Sequence, residues 1–251
     1  MQILHRPAWV AGTALQSAGW VVQAAALDRG SLVVVQSLTA LSLVLALPLG
    51  ALLTNQRIGR RELIGATLTL VGIVFFLSAG QPQGGTSHPS AASWWWACLL
   101  TGALVCALFM VGRRFSGAAK ALTFGAAAGL GYGLQAAVTK TFVTQIGGGV
   151  LALLTSWSIY VLIVSAVSGF VLQQSALKTG VLAPAMASSN SVTLFSSVLL
   201  GMVVYGETLS GSGSGHAEST FVGLVVAAMG IAFLAGSEAP ATTSTGPSPV
   251  R

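Results

Sequence analysis

The sequence predicts an all-α membrane protein, a polytopic bundle of about eight transmembrane helices. Hydrophobic residues make up 54 % of the 251-residue chain and charged residues only 6 %, against about 25 % charged in a soluble domain. Mean hydropathy is +0.83. The apolar residues also come in solid runs, each long enough to cross a hydrocarbon core of about 30 Å as a helix. The runs do not alternate with period two, which argues against a barrel. Helix and closed barrel are the two structures that satisfy their own backbone in lipid.

Eight runs qualify. The first, 9–27, carries Gln16, Trp20 and Gln23 at i, i+4 and i+7, one stripe of a helix. After "LDRG" comes the second, 31–53, with Gln36, Thr39 and Pro48. The third, 62–79, contains "GATLTLVGIVFF". A Gly- and Ser-rich joint, 80–93, reads as flexible. The fourth run, 94–112, opens on three tryptophans, expected to anchor in the headgroup layer. It also holds the two cysteines, Cys98 and Cys106, which helical rise separates by about 12 Å, too far for a disulfide within one helix.

The fifth run, 121–142, repeats glycine at 125, 129 and 133, spacing that suits close helix packing, and brings Tyr132 and Gln135. The sixth and seventh are 150–172 and 181–205, the latter with Pro184, Ser189 and Asn190. Either proline can kink its helix. A second flexible joint, 206–220, precedes the eighth run, 221–237. The tail 238–251, rich in Pro, Thr and Ser, is expected to be disordered.

Charge orients the bundle. With eight crossings, one side receives Arg6, Arg57, Arg60, Arg61, Arg113, Arg114, Lys120, Lys178 and Arg251, and the other only Arg29 and Lys140. The positive-inside rule makes the first side cytoplasmic, with both termini there, in a multi-pass cell (plasma) membrane protein. The net charge of +6 forms no basic face, and no nucleic-acid-binding motif appears, so nucleic acid is not an expected partner. The three histidines, His5, His88 and His216, fall in joints or the terminus, with no HExxH, metal-spaced cluster or GxSxG. An enzyme is therefore not expected, and neither cofactor nor metal site is implied.

"QAAALDRG" (23–30) and "QQSALKTG" (173–180) match at Gln23/Gln173, Ala26/Ala176, Leu27/Leu177 and Gly30/Gly180, an offset of 150. Beyond the longer second joint, "GATLTLVGIVFF" (65–76) meets "GLVVAAMGIAFL" (223–234) at offset 158, pairing Gly65 with Gly223 and Gly72 with Gly230. The copies start five spans apart, an odd number, so they are expected to cross the membrane in opposite directions, as in many secondary transporters. Residues 1–80 form the first repeat, with three helices; 81–237 form the second, with five.

A span ending "ALKTG", a small-residue span, a "GE" at its end and a closing Gly-spaced span together resemble the drug/metabolite transporter superfamily. "GTALQSAGWVVQAAALDRGSLVVVQSLTALSLVLALPLGALL" resembles its EamA/NIPA-like branch. The likeness covers spans one to three and six to eight. It implies ten helices in two inverted sets of five, so the chain is expected to lack counterparts of the first two, a 3+5 version of a 5+5 fold. A misassigned start, a true eight-span variant and a partner that supplies the pair all stay open. The resemblance also gives Glu207 weight as the family's "GE"; its counterpart in the first repeat is Arg57.

Asp28, Arg29, Lys140 and Glu207 fall at span ends and read as interfacial. No carboxylate lies at mid-depth, which weakens the magnesium transport that the NIPA likeness suggests. Neutral polar groups do reach the interior: Gln16, Trp20, Gln23, Gln36, Thr39, Tyr132, Gln135, Ser189 and Asn190 are the expected substrate contacts, with helix–helix hydrogen bonding as their other reading. The expected activity is alternating-access movement of a small polar or amphipathic solute. A non-transporting subunit or remnant is the rival. The lipid bilayer and the solute are the expected partners, with a homodimer or helper subunit possible.

Overall fold

A computed structural model of the chain describes residues 7–42, 44–45, 48–49, 59–86, 89–209 and 214–237. The predicted tail, 238–251, lies outside the described residues. In chain order the elements are α1 (Pro7–Arg29), α2 (Leu32–Ala40), α3 (Arg60–Gly80), β1 (Pro82–Gly84), α4 (Ala91–Gly112), α5 (Gly117–Thr144), a 3₁₀ turn (Ile146–Gly148), α6 (Val150–Thr155), α7 (Trp157–Leu177), α8 (Leu182–Tyr205), β2 (Glu207–Leu209) and α9 (Ser214–Ser237). Among the described residues, α3, α4, α5, α7 and α8 are long and apolar enough to cross a membrane, and Glu218–Leu234 of α9 is a shorter apolar helix. The chain is an all-α membrane protein. Outward faces carry exposed side chains such as Leu63, Trp95, Val164 and Val203, an apolar surface that water would penalise and lipid solvates.

Small residues decide which helices sit inside. In α5, 67 % of the most apolar window is buried, against 17 % in α4, which puts α5 at the centre and α4 at the rim. Along α5, a Cβ on Gly125 would strike Ala185 and Ser188; on Gly129, Ser189 and Val192; on Gly133, Ser196. Contact positions rise together on both helices, so α5 and α8 run parallel at backbone distance, the packing that the four-residue glycine spacing predicts. Thr193 and Ser196 hydroxyls both donate to the Gly129 carbonyl, at 3.3 and 3.4 Å.

The most extensive helix contact joins α3 to α9. Here the order reverses: Gly65 lies against Gly230 and Leu234, Gly72 against Gly223 and Ala227, Phe76 against Gly223, and Thr69 against Gly230. The two helices are therefore antiparallel, and all four glycines admit the partner's backbone where a Cβ would come closer than 3.0 Å. At opposite ends of α8 lie the two echoed turns. The turn at 28–30 leads into α2, whose first amides meet Glu207 just past the C-terminus of α8, whereas Lys178–Gly180 leads into its N-terminus. At 24 residues, α8 separates them by about 36 Å.

Three local expectations change. The sixth predicted span is broken at Ser156, which leaves the helical region (ψ 136°) and caps α7, its hydroxyl accepting from Ser158 N–H at 3.2 Å. Pro184 stands in the first turn of α8, where a missing N–H leaves no helical bond unmade, so it needs no kink there. Parts of the two joints expected to be flexible pair as antiparallel strands, with Gln83 opposite Thr208; Thr86 N–H adds a bond to the Tyr205 carbonyl at 2.7 Å.

Candidate functional site

At the end of the bundle where α5 and α8 finish, a buried ion pair ties those two helices to each other and to the start of α2. Helix α8 stops at Gly206, which takes the left-handed conformation (φ 65°) favoured by glycine and turns the chain so that Glu207 faces back inward. Its Oε1 accepts from the Lys140 ammonium at 2.8 Å and from Leu32 N–H at 2.6 Å; Oε2 accepts from Val33 N–H at 2.9 Å. Ser31 Oγ accepts from Val34 N–H at 3.0 Å, so the amides of Leu32, Val33 and Val34, three of the four that a helix start leaves open, all have acceptors. Relative exposure is 2 % for Glu207 and 8 % for Lys140. Space for the carboxylate comes from Gly201 and Gly85, where a Cβ would press on Glu207 at 2.9 Å.

A second layer continues across the bundle. The Lys140 ammonium sits 4.6 Å from the Tyr205 ring centroid. Tyr205 OH donates to the Ala137 carbonyl at 2.7 Å and pairs with Thr141 Oγ1 at 2.8 Å. Trp94 meets Tyr205 edge-on at 5.9 Å and Trp157 at 5.0 Å. Trp157, Trp94, Tyr205, Lys140, Glu207 and the α2 N-terminus thus form one continuous plate from α7 to α2. Only Trp95 and Trp96 of the three adjacent tryptophans are exposed; Trp94 turns inward and is 6 % exposed. Tyr205→Phe, which removes the hydroxyl alone, is expected to lower stability by about 1 kcal/mol, read as a small fall in the unfolding midpoint in detergent.

Sequence reasoning missed this site. Lys140 and Glu207 read separately as interfacial side chains, whereas the structure pairs and buries them. The sequence offered two acids, Asp28 and Glu207, and two bases, Arg29 and Lys140, at ends expected to share a membrane face, with no sign of which would pair.

Over 211 residues the chain is 31 % identical to an uncharacterized protein of Corynebacterium glutamicum, spanning 82 % of this chain and 72 % of that protein. The chain belongs to that protein's family. No family model matches it, and no solved structure does.

The residues expected to contact substrate lie on α1, α2, α5 and α8, which adjoin one another. Gln16 stands on α1, its side chain outside the described ones. Trp20 is exposed and Gln23 half-buried. Gln36 is buried, and its Nε2 has no acceptor among the described residues. Thr39, largely exposed, donates to the Val35 carbonyl. Tyr132 is half-buried with its ring over Gly169. Gln135 and Asn190 are half-buried, and Ser189 is buried beside Gly129. No hydrogen bond among the described residues joins two of these nine side chains. Gln173, the echo of Gln23, is buried; its Nε2 donates to Met186 Sδ at 3.2 Å while Oε1 has no donor among the described residues.

Proposed function

We propose that the chain is a multi-pass membrane transporter of the drug/metabolite type, moving a small polar or amphipathic solute by alternating access between two inversely related halves. The observation that carries the reading is the exchange pattern at the α3–α9 contact. Under the offset of 158, the contact of Gly65 with Leu234 becomes that of Gly223 with Phe76, and Gly72 with Ala227 becomes Gly230 with Thr69. Each contact has its counterpart with the roles swapped, as a two-fold relation between antiparallel copies requires. The start of α2 at Leu32 and of α8 at Leu182, 150 positions apart, supports it too.

Two buried amides, Gln36 in the first half and Gln173 in the second, each have one hydrogen-bonding atom unused among the described residues. An unpaired amide in an apolar medium is costly, and a polar solute passing between the halves is one partner that removes the cost.

Flux into proteoliposomes tests the proposal, with a panel of radiolabelled amino acids and nucleosides and fluorescent amphipathic solutes. At least one is expected to enter faster than into protein-free vesicles. Gln23→Ala, Gln36→Leu and Asn190→Ala are each expected to slow that entry about tenfold, the equivalent of one hydrogen bond, with unfolding midpoints held. Loss of folded protein in place of flux would favour helix–helix hydrogen bonding as their role, and no flux of any probe would favour the non-transporting subunit.

A further inference from the structure

At the end of the bundle opposite the Lys140–Glu207 pair, the α4–α5 and α7–α8 joints border an open pocket of about 260 Å³ lined by Phe115, Ser116, Gly117, Lys120, Ser175, Lys178 and Thr179. That is smaller than the roughly 300–1,000 Å³ of sites for drug-sized ligands, and its scale suits a compact polar headgroup. Charge there is of one sign. Segments 112–120 and 173–181 contain Arg113, Arg114, Lys120 and Lys178 and no acidic residue. Among the described residues, neither lysine has a carboxylate within ion-pair distance, the Lys140–Glu207 pair being at the other end. Lys120 rests over the Phe124 ring, its ammonium 5.5 Å from the centroid, which holds the stem while leaving its N–H donors free.

The hydroxyls divide into two kinds. Ser175 and Thr179 donate to the Val171 and Ala176 carbonyls at 2.7 and 2.8 Å, and Thr179 Oγ1 also accepts from Val181 N–H at 3.3 Å, so what these hydroxyls have left to offer is acceptor capacity, with both lone pairs of Ser175 and one of Thr179 remaining. Ser116 makes no side-chain cap to α5, and where Gly117 would carry a Cβ there is open space. Two lysines and two acceptor hydroxyls lining one pocket match a ligand that is anionic at one end and bears hydroxyl donors at the other.

We propose that this pocket binds a phosphate-bearing headgroup, its anionic oxygens on Lys120 and Lys178 and its hydroxyls on Ser175 and Thr179. By the positive-inside rule these lysines face the cytoplasmic leaflet, where anionic lipids and basic pockets between helices meet. The same chemistry is available from a free phosphate ester, and the test separates the two sources. The proposal does not depend on whether the chain carries a solute.

The experiment uses the full chain in a neutral detergent, titrated separately with phosphatidylglycerol, phosphatidylcholine, glycerol 1-phosphate and inorganic phosphate. Unfolding midpoints and retained adducts in native mass spectrometry are recorded. Phosphatidylglycerol is expected to raise the midpoint and to be retained, phosphatidylcholine to do neither, and Lys120→Gln/Lys178→Gln together to weaken the phosphatidylglycerol effect at least tenfold. Arg113→Gln/Arg114→Gln, outside the pocket lining, is expected to keep most of it. Glycerol 1-phosphate or inorganic phosphate binding with the same lysine dependence identifies a soluble source; lipid binding alone identifies the headgroup. Equal effects of phosphatidylcholine and phosphatidylglycerol on the unaltered chain overturn the proposal without recourse to any variant. So does an undiminished phosphatidylglycerol effect in the folded lysine pair variant.

Discussion

Glu207→Ala is expected to destabilise the fold by about 3–5 kcal/mol, because it leaves an ammonium buried without its counter-ion. Lys140 is 8 % exposed, and the same substitution strips Leu32 and Val33 N–H of their acceptors at the start of α2. Both losses act on a polar junction that ties the start of α2 to α5 and to the end of α8. Removing both charges together, with Lys140→Met and Glu207→Gln, is expected to recover much of the loss, since no charge is then left unpaired and the Gln oxygen can still accept from α2. Unfolding midpoints for Lys140→Met alone, Glu207→Gln alone and the double variant form a cycle with the unaltered chain. A coupling of at least about 1 kcal/mol is expected for residues in direct contact; additive effects would contradict the pairing.

Gly72→Ala and Gly230→Ala are each expected to cost about 1–3 kcal/mol by overpacking. A methyl at 72 meets the Ala227 backbone and one at 230 meets the Thr69 backbone, positions 158 apart like the glycines themselves. A two-fold relation therefore predicts nearly equal costs, within about 0.5 kcal/mol. Gly102→Ala in α4 provides the contrast. Nothing lies within 4 Å of its would-be Cβ, so the substitution is expected to gain about 0.5–1 kcal/mol from helix propensity. Unfolding midpoints read all three, and a tolerated methyl at 230 beside a costly one at 72 would contradict the exchange pattern.

Much of this architecture is legible in the sequence because lipid leaves few options. Solid apolar runs dictate helices, and Gly65, Gly72, Gly223 and Gly230 appear as two matched pairs before any contact is known. The spacing of Gly125, Gly129 and Gly133 likewise foretells a backbone-close partner, although it does not say that the partner is α8. What stays hidden depends on rotation and on long-range pairing. Three adjacent tryptophans are equivalent by composition, yet one of every three helical positions points inward, and only the packing against Trp157 and Tyr205 selects Trp94. The Lys140–Glu207 pair joins positions 67 apart, and neither neighbourhood signals the other. Ser156 ends a helix inside a run long enough to read as one span, because the hydroxyl that caps α7 lies in the short polar stretch "TSWS" (155–158), which the apolar residues on both sides outweigh in any span-length average. The strand pair between β1 and β2 is unreadable for a related reason: residues 82–84 and 207–209 look like linkers until the helices that carry them are placed side by side.

Sidedness of the two echoed turns tests the inverted arrangement most directly. In a background with Cys98 and Cys106 replaced by Ala, Asp28→Cys and Thr179→Cys would be labelled with a membrane-impermeant maleimide, on intact cells and on inside-out vesicles. The account predicts reaction of Asp28→Cys only from outside and of Thr179→Cys only from the cytoplasmic side. Labelling of both from the same side would contradict it.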